Sequence, residues 1–153
     1  MLTTRPATPD DREWVVDAAR QVLGDEFQVH SRRQFNVLDG DVLVAEHDGR
    51  RVGFASWMVD EEGAEVLALA CTERDIGAGT ALMHAVEDEA ARRDARRVHL
   101  VTTDANVGAQ RFYERLGYAL AERRVGAVDE CRARYKPGIP ADMHDELVYE
   151  RAR

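Results

Sequence analysis

One passage constrains this chain more than any other. An apolar run, Val66-Leu67-Ala68-Leu69-Ala70, is followed by Arg74-Asp75-Ile76-Gly77-Ala78-Gly79, and then by a helical pattern from Thr80 to Asp94. A strand, a glycine-bearing turn and a helix in direct succession make a cradle for anionic oxygens. Glycine lets the backbone come close to a ligand. The first-turn N–H groups of the helix, aligned with the positive end of its dipole, then hold phosphate oxygens. Arg74 adds a fixed positive charge suited to phosphate. Taken alone, the same residues also describe a plain structural turn.

The chain has 153 residues, 44% of them hydrophobic, which is enough to bury the core of one domain spanning 1–153. No run approaches about 18 apolar residues, so no membrane helix is expected. The stretch Met1-Leu2-Thr3-Thr4-Arg5-Pro6 has no apolar signal region, and a soluble, cytoplasmic protein is the expectation. With 29 acidic against 21 basic residues the net charge is −8, which argues against a nucleic-acid-binding surface. The same charge suits a cationic or amine substrate and is also an ordinary route to solubility. Cys71 and Cys131 have neither metal-type nor disulfide-framework spacing, and the five histidines show no ligand pairing, so no metal site is expected.

A second passage gives the first its meaning. Val98-His99-Leu100-Val101-Thr102 is followed by Asp104-Ala105-Asn106 and by Gln110-Arg111-Phe112-Tyr113-Glu114-Arg115-Leu116-Gly117-Tyr118. Together the two resemble the GNAT superfamily of acetyl-CoA-dependent N-acetyltransferases. The first matches that family's Q/R-x-x-G-x-G/A pyrophosphate loop. The second matches its Asn…FYxxxGF/Y signature at Asn106, Phe112, Tyr113, Gly117 and Tyr118. Order and spacing agree, and the motifs cover Glu65 to Tyr118.

The hydrophobic periodicities fit that layout. Thr4–Ala7 reads as a strand, and Thr8 or Asp10 caps a helix whose stripe is Trp14, Val15, Ala18, Ala19, Val22 and Leu23, with Gly24 as its stop. Ser31–Leu38 reads as a short helix or loop. Val42–Glu46, Val52–Val59 and Glu65–Cys71 form an antiparallel meander, its first turn carrying the Asp48-Gly49 signal. Val98–Thr102 lies parallel to Glu65–Cys71 through the intervening helix. Asn106–Leu116 is a helix and Tyr118–Val125 a strand. Val128–Tyr135 is a helical turn or loop, and Glu146–Glu150 closes the sheet as a candidate edge for a homodimer. The resemblance implies an α/β (mixed α+β) GNAT fold: a twisted, mostly antiparallel sheet of six or seven strands with a parallel splayed pair in the middle, flanked by about four helices.

The resemblance also implies a chemistry: transfer of an acetyl group from acetyl-CoA, as co-substrate, to an amine of a small molecule or peptide by direct attack in a ternary complex. Backbone amides of Ile76, Gly77, Ala78, Gly79 and Thr80, with Arg74 and Asp75 beside them, would take the CoA pyrophosphate. Leu67, Leu69, Ala70 and Cys71 lie on the strand that splays at a bulge in the family. Its open edge would bind the pantetheine arm, with the Leu69 N–H polarising the thioester carbonyl. Asn106 caps its helix or bonds the pantetheine amide. Tyr113 is the general acid for the thiolate: a phenol near pKa 10 gives its proton to a thiolate of about 8.5 at little cost. For the general base, Glu65 shares strand parity with Leu67 and Leu69, and Glu62, His30 and Asp145 are rivals. Asp75 stands where the family often has glycine, and Cys71 where it often has proline. A non-catalytic acyl-CoA-binding domain is the alternative function, and the amine acceptor is left open.

Overall fold

The computed structural model describes residues 1–152. A seven-stranded sheet runs in the order β1-β4-β5-β6-β7-β9-β8, with a separate two-stranded hairpin, β2-β3, beside it. The strands are β1 (Leu2–Pro6), β2 (Phe27–His30), β3 (Arg33–Asn36), β4 (Asp41–His47), β5 (Arg50–Asp60), β6 (Gly63–Cys71), β7 (Arg97–Thr103), β8 (Ala119–Arg124) and β9 (Glu146–Ala152). Four α-helices flank them: α1 (Arg12–Leu23), α2 (Ala78–Arg92), α3 (Val107–Arg115) and α4 (Ala127–Arg134). Every pairing in the large sheet is antiparallel except β6 with β7, as expected.

Two apolar layers hold the sheet. Leu82, Met83, Val86 and Ala90 line the inner face of α2 and pack on Leu43, Val52, Ala55, Trp57 and Val66. On the opposite face the α1 stripe of Val15, Ala18 and Ala19 packs on Val44, Phe54, Ala68 and Ala70. Leu82, Met83 and Val86 are fully buried, so truncating Leu82 or Met83 to alanine removes about 2–5 kcal/mol. The start of α1 is pinned by one buried carboxylate. Asp11 accepts two bonds from Arg5 (2.7 and 2.9 Å), one from Arg51 (2.8 Å) and one from the Thr8 amide (2.7 Å). These bonds, Arg5 above all, hold its carboxyl well below the usual carboxylate range.

Two expectations are corrected here. The region read as a short helix or loop, Ser31–Leu38, instead contributes β3 to the hairpin. The two residues of its turn, Ser31 and Arg32, both adopt left-handed φ (54° and 59°), as a tight two-residue hairpin turn requires. Neither is a glycine or asparagine, so the turn signal is missing from the sequence. Its support is tertiary: the Ser31 amide donates to Glu146 (3.0 Å) and Arg124 donates to the Ser31 hydroxyl (2.7 Å). The second correction concerns Glu146–Glu150. It forms a strand but lies inside the sheet, between β7 and β8, so the edges are β1 and β8 and not the closing strand.

Candidate active site

The site is built where β6 and β7 part. Their parallel ladder pairs only Ala64 with Val98, Glu65 with His99 and Val66 with Leu100. Immediately beyond, β6 takes in one extra residue against β5: Ser56 pairs with Ala68 and Trp57 with Val66, leaving Leu67 as a bulge. The strands then diverge, and a cleft of about 650 Å³ opens between Leu67, Ala68 and Leu69 on one wall and Val101, Thr102 and Thr103 on the other. The Thr72 amide donates to Val52 of β5. Amides alternate in direction along a strand, so those of Ala70 and Ala68 share that direction. Those of Cys71 and Leu69 turn the other way, toward the gap left by β7.

The bulge also overturns the shared parity of Glu65 with Leu67 and Leu69. Ala64 and Val66 pack under α2, while after Leu67 it is Leu69 and Cys71 that face α2, and Ala68 and Ala70 face α1. One inserted residue exchanges the two faces for everything downstream. Glu65 therefore points away from the Leu69–Cys71 face. It is buried, and Arg33 of the hairpin holds both its oxygens at 2.6 and 2.7 Å. It opens onto a second, charged cavity of about 530 Å³ shared with His99, Arg97 and Glu62. Among the rivals, Glu62 lines that second cavity, 3.5 Å from Arg97. Asp145 is taken by Arg123 (2.7 Å) and the Gly126 amide (2.8 Å). Only His30 of the four stands on the wall of the main cleft. Burial, then the guanidiniums of Arg33 and Arg124, pull its pKa down to about 3, while the neighbouring Leu67 backbone pulls the other way.

The far end of β6 runs into the glycine turn. Asp75 (φ 62°) and Gly77 (φ 80°) are left-handed, and Gly77 caps α2. The first bond inside the helix runs from Ala81 N–H to the Gly77 carbonyl, so the amides of Ala78, Gly79 and Thr80 have no partner within the helix. A Cβ on Gly79 would stand 3.2 Å from the Phe112 ring, so glycine there lets α3 close against the start of α2. Arg74 and Asp75 are both exposed, and Arg74 has no ion-pair partner among the described residues; its neighbour Glu73 is taken by Arg50 (3.1 Å).

Phe112 carries the packing onward to Tyr113, edge to face at 5.1 Å, and Tyr113 meets Tyr118 at 6.0 Å. Tyr113 is buried yet lines the cleft, and its hydroxyl has no hydrogen-bond partner among the described residues. Burial, with Cys71 nearby, pushes its pKa well above the ordinary phenol value, so it stays protonated. Burial also pushes the Cys71 thiol up to about 11, which leaves it protonated and a poor nucleophile. Asn106 lines the cleft and caps α3, its side-chain oxygen accepting from the Ala109 amide at 3.1 Å.

Two cleft features are not legible in the sequence: β9 brings in the buried Glu146, and β7 brings in Thr103, whose hydroxyl is buried without a partner among the described residues. His30 is among the candidate bases, but no turn signal marks the hairpin that carries it to the cleft. Only the alternation of β9 hinted at Glu146, and no local signal marks Thr103. Among the described residues no cluster of side chains could hold a metal ion.

The comparisons agree with this geometry. Residues 11–118 match the model of the acetyltransferase (GNAT) family. The uncharacterized protein YdhI of Bacillus subtilis (strain 168) is 37% identical over 120 residues, covering 74% of each chain. The uncharacterized N-acetyltransferase Rv2669 of Mycobacterium tuberculosis is 40% identical over 82 residues, covering 52% of this chain and 53% of its own. Among solved structures, a putative streptothricin acetyltransferase from Bacillus anthracis in complex with acetyl coenzyme A superposes with a TM-score of 0.76. It covers 100% of both chains at 12% identity, a likeness of fold. A splayed parallel pair, a glycine-capped helix at its end and a family match across both place this chain in the GNAT family of acetyltransferases.

Proposed function

We propose that the chain transfers an acetyl group from acetyl-CoA to a primary amine, by direct attack while both are bound. One observation carries this reading. The β6–β7 ladder stops after three pairs, and the strand left with an open amide edge runs straight into the glycine-capped start of α2. A long substrate with a carbonyl near one end and phosphates at the other matches both features at once.

The amides from Ile76 to Thr80, with Arg74 close by, hold the pyrophosphate, because their N–H groups are free and the helix dipole favours negative charge there. Asp75 turns outward to solvent and leaves the cradle to the backbone. The backbone of Leu67 to Cys71 takes the pantetheine arm. The Leu69 amide faces the gap and donates to the thioester carbonyl, where one preorganised donor is worth about 2.7–4 kcal/mol of barrier. Asn106 keeps its oxygen on the Ala109 amide, which leaves its NH₂ for a pantetheine carbonyl. Tyr113, kept protonated by burial, gives its proton to the departing thiolate.

Glu65, with both oxygens on Arg33, is the weaker base candidate. His30, on the cleft wall, is by position the better acceptor for the proton of the attacking amine, while its lowered pKa makes it a weak base.

The test is calorimetric titration with acetyl-CoA and free CoA, followed by thiol release with added amines. Gly79→Trp serves as the blocked control. Binding that the variant abolishes supports the cradle. No binding at millimolar concentration overturns the reading.

A further inference from the structure

The cleft wall narrows the acceptor. Although the chain carries a net charge of −8, among the described residues Glu146 is the single carboxylate lining the main cleft, and Lys136 the single ammonium. Both already have partners. Glu146 takes Arg124 (3.1 Å) and the Ser31 amide (3.0 Å). Lys136 sits 3.5 Å from Asp25 and donates to the Phe27 carbonyl at 3.0 Å. The end far from the cradle carries Val22, Leu23, Val29, Ile139 and Met143, with the uncharged Gln28 and His30 on either side of Val29. Beside that end the hairpin is tied to the segment between α4 and β9. The Tyr135 hydroxyl donates to the Arg32 carbonyl (3.0 Å), and Arg32 pairs with Glu130 (3.3 Å). With Lys136 on Phe27, these contacts join the hairpin to the α4–β9 segment. Arg132 stiffens the segment by donating to the carbonyls of Ile139, Pro140 and Met143.

We propose, resting on the acetyl-transfer reading above, that the acceptor is a small primary monoamine with an apolar body. A second or third ammonium on the acceptor would lie against a largely aliphatic lining with no free carboxylate to meet it. A peptide would have to lay its backbone along the aliphatic end, where each desolvated amide needs its own partner. One amine group on a compact apolar frame satisfies both limits and buries its frame against the aliphatic end.

The test is thiol release from acetyl-CoA with 2-phenylethylamine and hexylamine, set against spermidine and a short peptide with a free N-terminus. Acetyl-CoA binding is measured separately by calorimetry. The kcat/KM of the apolar monoamines is expected to exceed that of spermidine and of the peptide by at least about tenfold. Ile139→Glu, which adds a carboxylate to the apolar end at a partly exposed position, is expected to shift the spermidine-to-phenylethylamine ratio up by about tenfold. A wild-type preference for spermidine or for the peptide overturns the monoamine proposal and leaves acetyl transfer standing. Bound acetyl-CoA with no amine acetylated, or no binding of acetyl-CoA, overturns the transfer reading itself.

Discussion

Arg33 reaches from the hairpin into the sheet and holds both oxygens of Glu65, at 2.6 and 2.7 Å from one guanidinium nitrogen. The pair is lopsided: the Glu65 side chain is 5% exposed and that of Arg33 40%. Removing Arg33 leaves a buried carboxylate uncompensated, whereas removing the charge on Glu65 leaves a guanidinium that water can reach. Arg33→Ala is therefore expected to destabilise the fold by roughly 1–3 kcal/mol, discounted from the fully buried case for the exposure of Arg33. Glu65→Gln is expected to cost less. Urea unfolding of both variants checks this order, and a larger loss in Glu65→Gln contradicts it.

Gly77 is left-handed at the mouth of α2, with a φ of 80°, and space for a side chain is not its constraint, since the nearest atom to an added Cβ is 3.9 Å away. Gly77→Ala is expected to cost about 1–2 kcal/mol of stability, the penalty of a left-handed L-residue. It is also expected to weaken acetyl-CoA binding as the first amides of the helix tilt. A binding isotherm and thermal melt of one preparation separate the two effects.

Tyr113→Phe keeps the ring that packs on Phe112 and removes only a hydroxyl with no partner among the described residues. Stability is expected to be unchanged within about 0.5 kcal/mol. The rate of transfer is expected to fall by about 10²–10⁴-fold, the usual contribution of a general acid. Single-turnover rates with saturating acetyl-CoA decide it. An unchanged rate would point to a non-catalytic role for this hydroxyl.

His30 provides a pH signature. Its folded pKa of about 3 lies below the ordinary 6.5. Between those values the unfolded chain binds the extra proton, so stability rises with pH there. The contribution is complete above pH 6.5 and is lost as pH falls toward 3. Because His30 is partly exposed, the loss between pH 7 and 5 is put at about 1 kcal/mol. His30→Gln is expected to flatten that part of the stability profile. An equally steep acid limb in the variant would assign the loss to other groups.

The cradle and the FY helix were readable because their signals are local. Gly77 and Gly79 sit where a left-handed cap and a close approach demand them. The α1, α2 and α3 stripes follow a 3.6-residue period, and β4 to β6 are short apolar runs bounded by turn signals. The hairpin was missed because Ser31 and Arg32 hold their left-handed turn through Glu146 and Arg124, more than 90 residues away in sequence. The place of β9 inside the sheet was equally hidden, since alternation says that a strand exists but not which neighbours it takes.

The sequence by itself determined that residues 65–118 carry a strand, a phosphate-type turn and an aromatic helix in GNAT order. The tertiary structure decided which groups meet in the cleft. A single bulge at Leu67 turned Glu65 away from Leu69, and the hairpin brought His30 to the cleft beside Leu67. Periodicity is set by each residue's own backbone, but a register shift depends on how two strands pair, and that energy lies in contacts between distant parts of the chain.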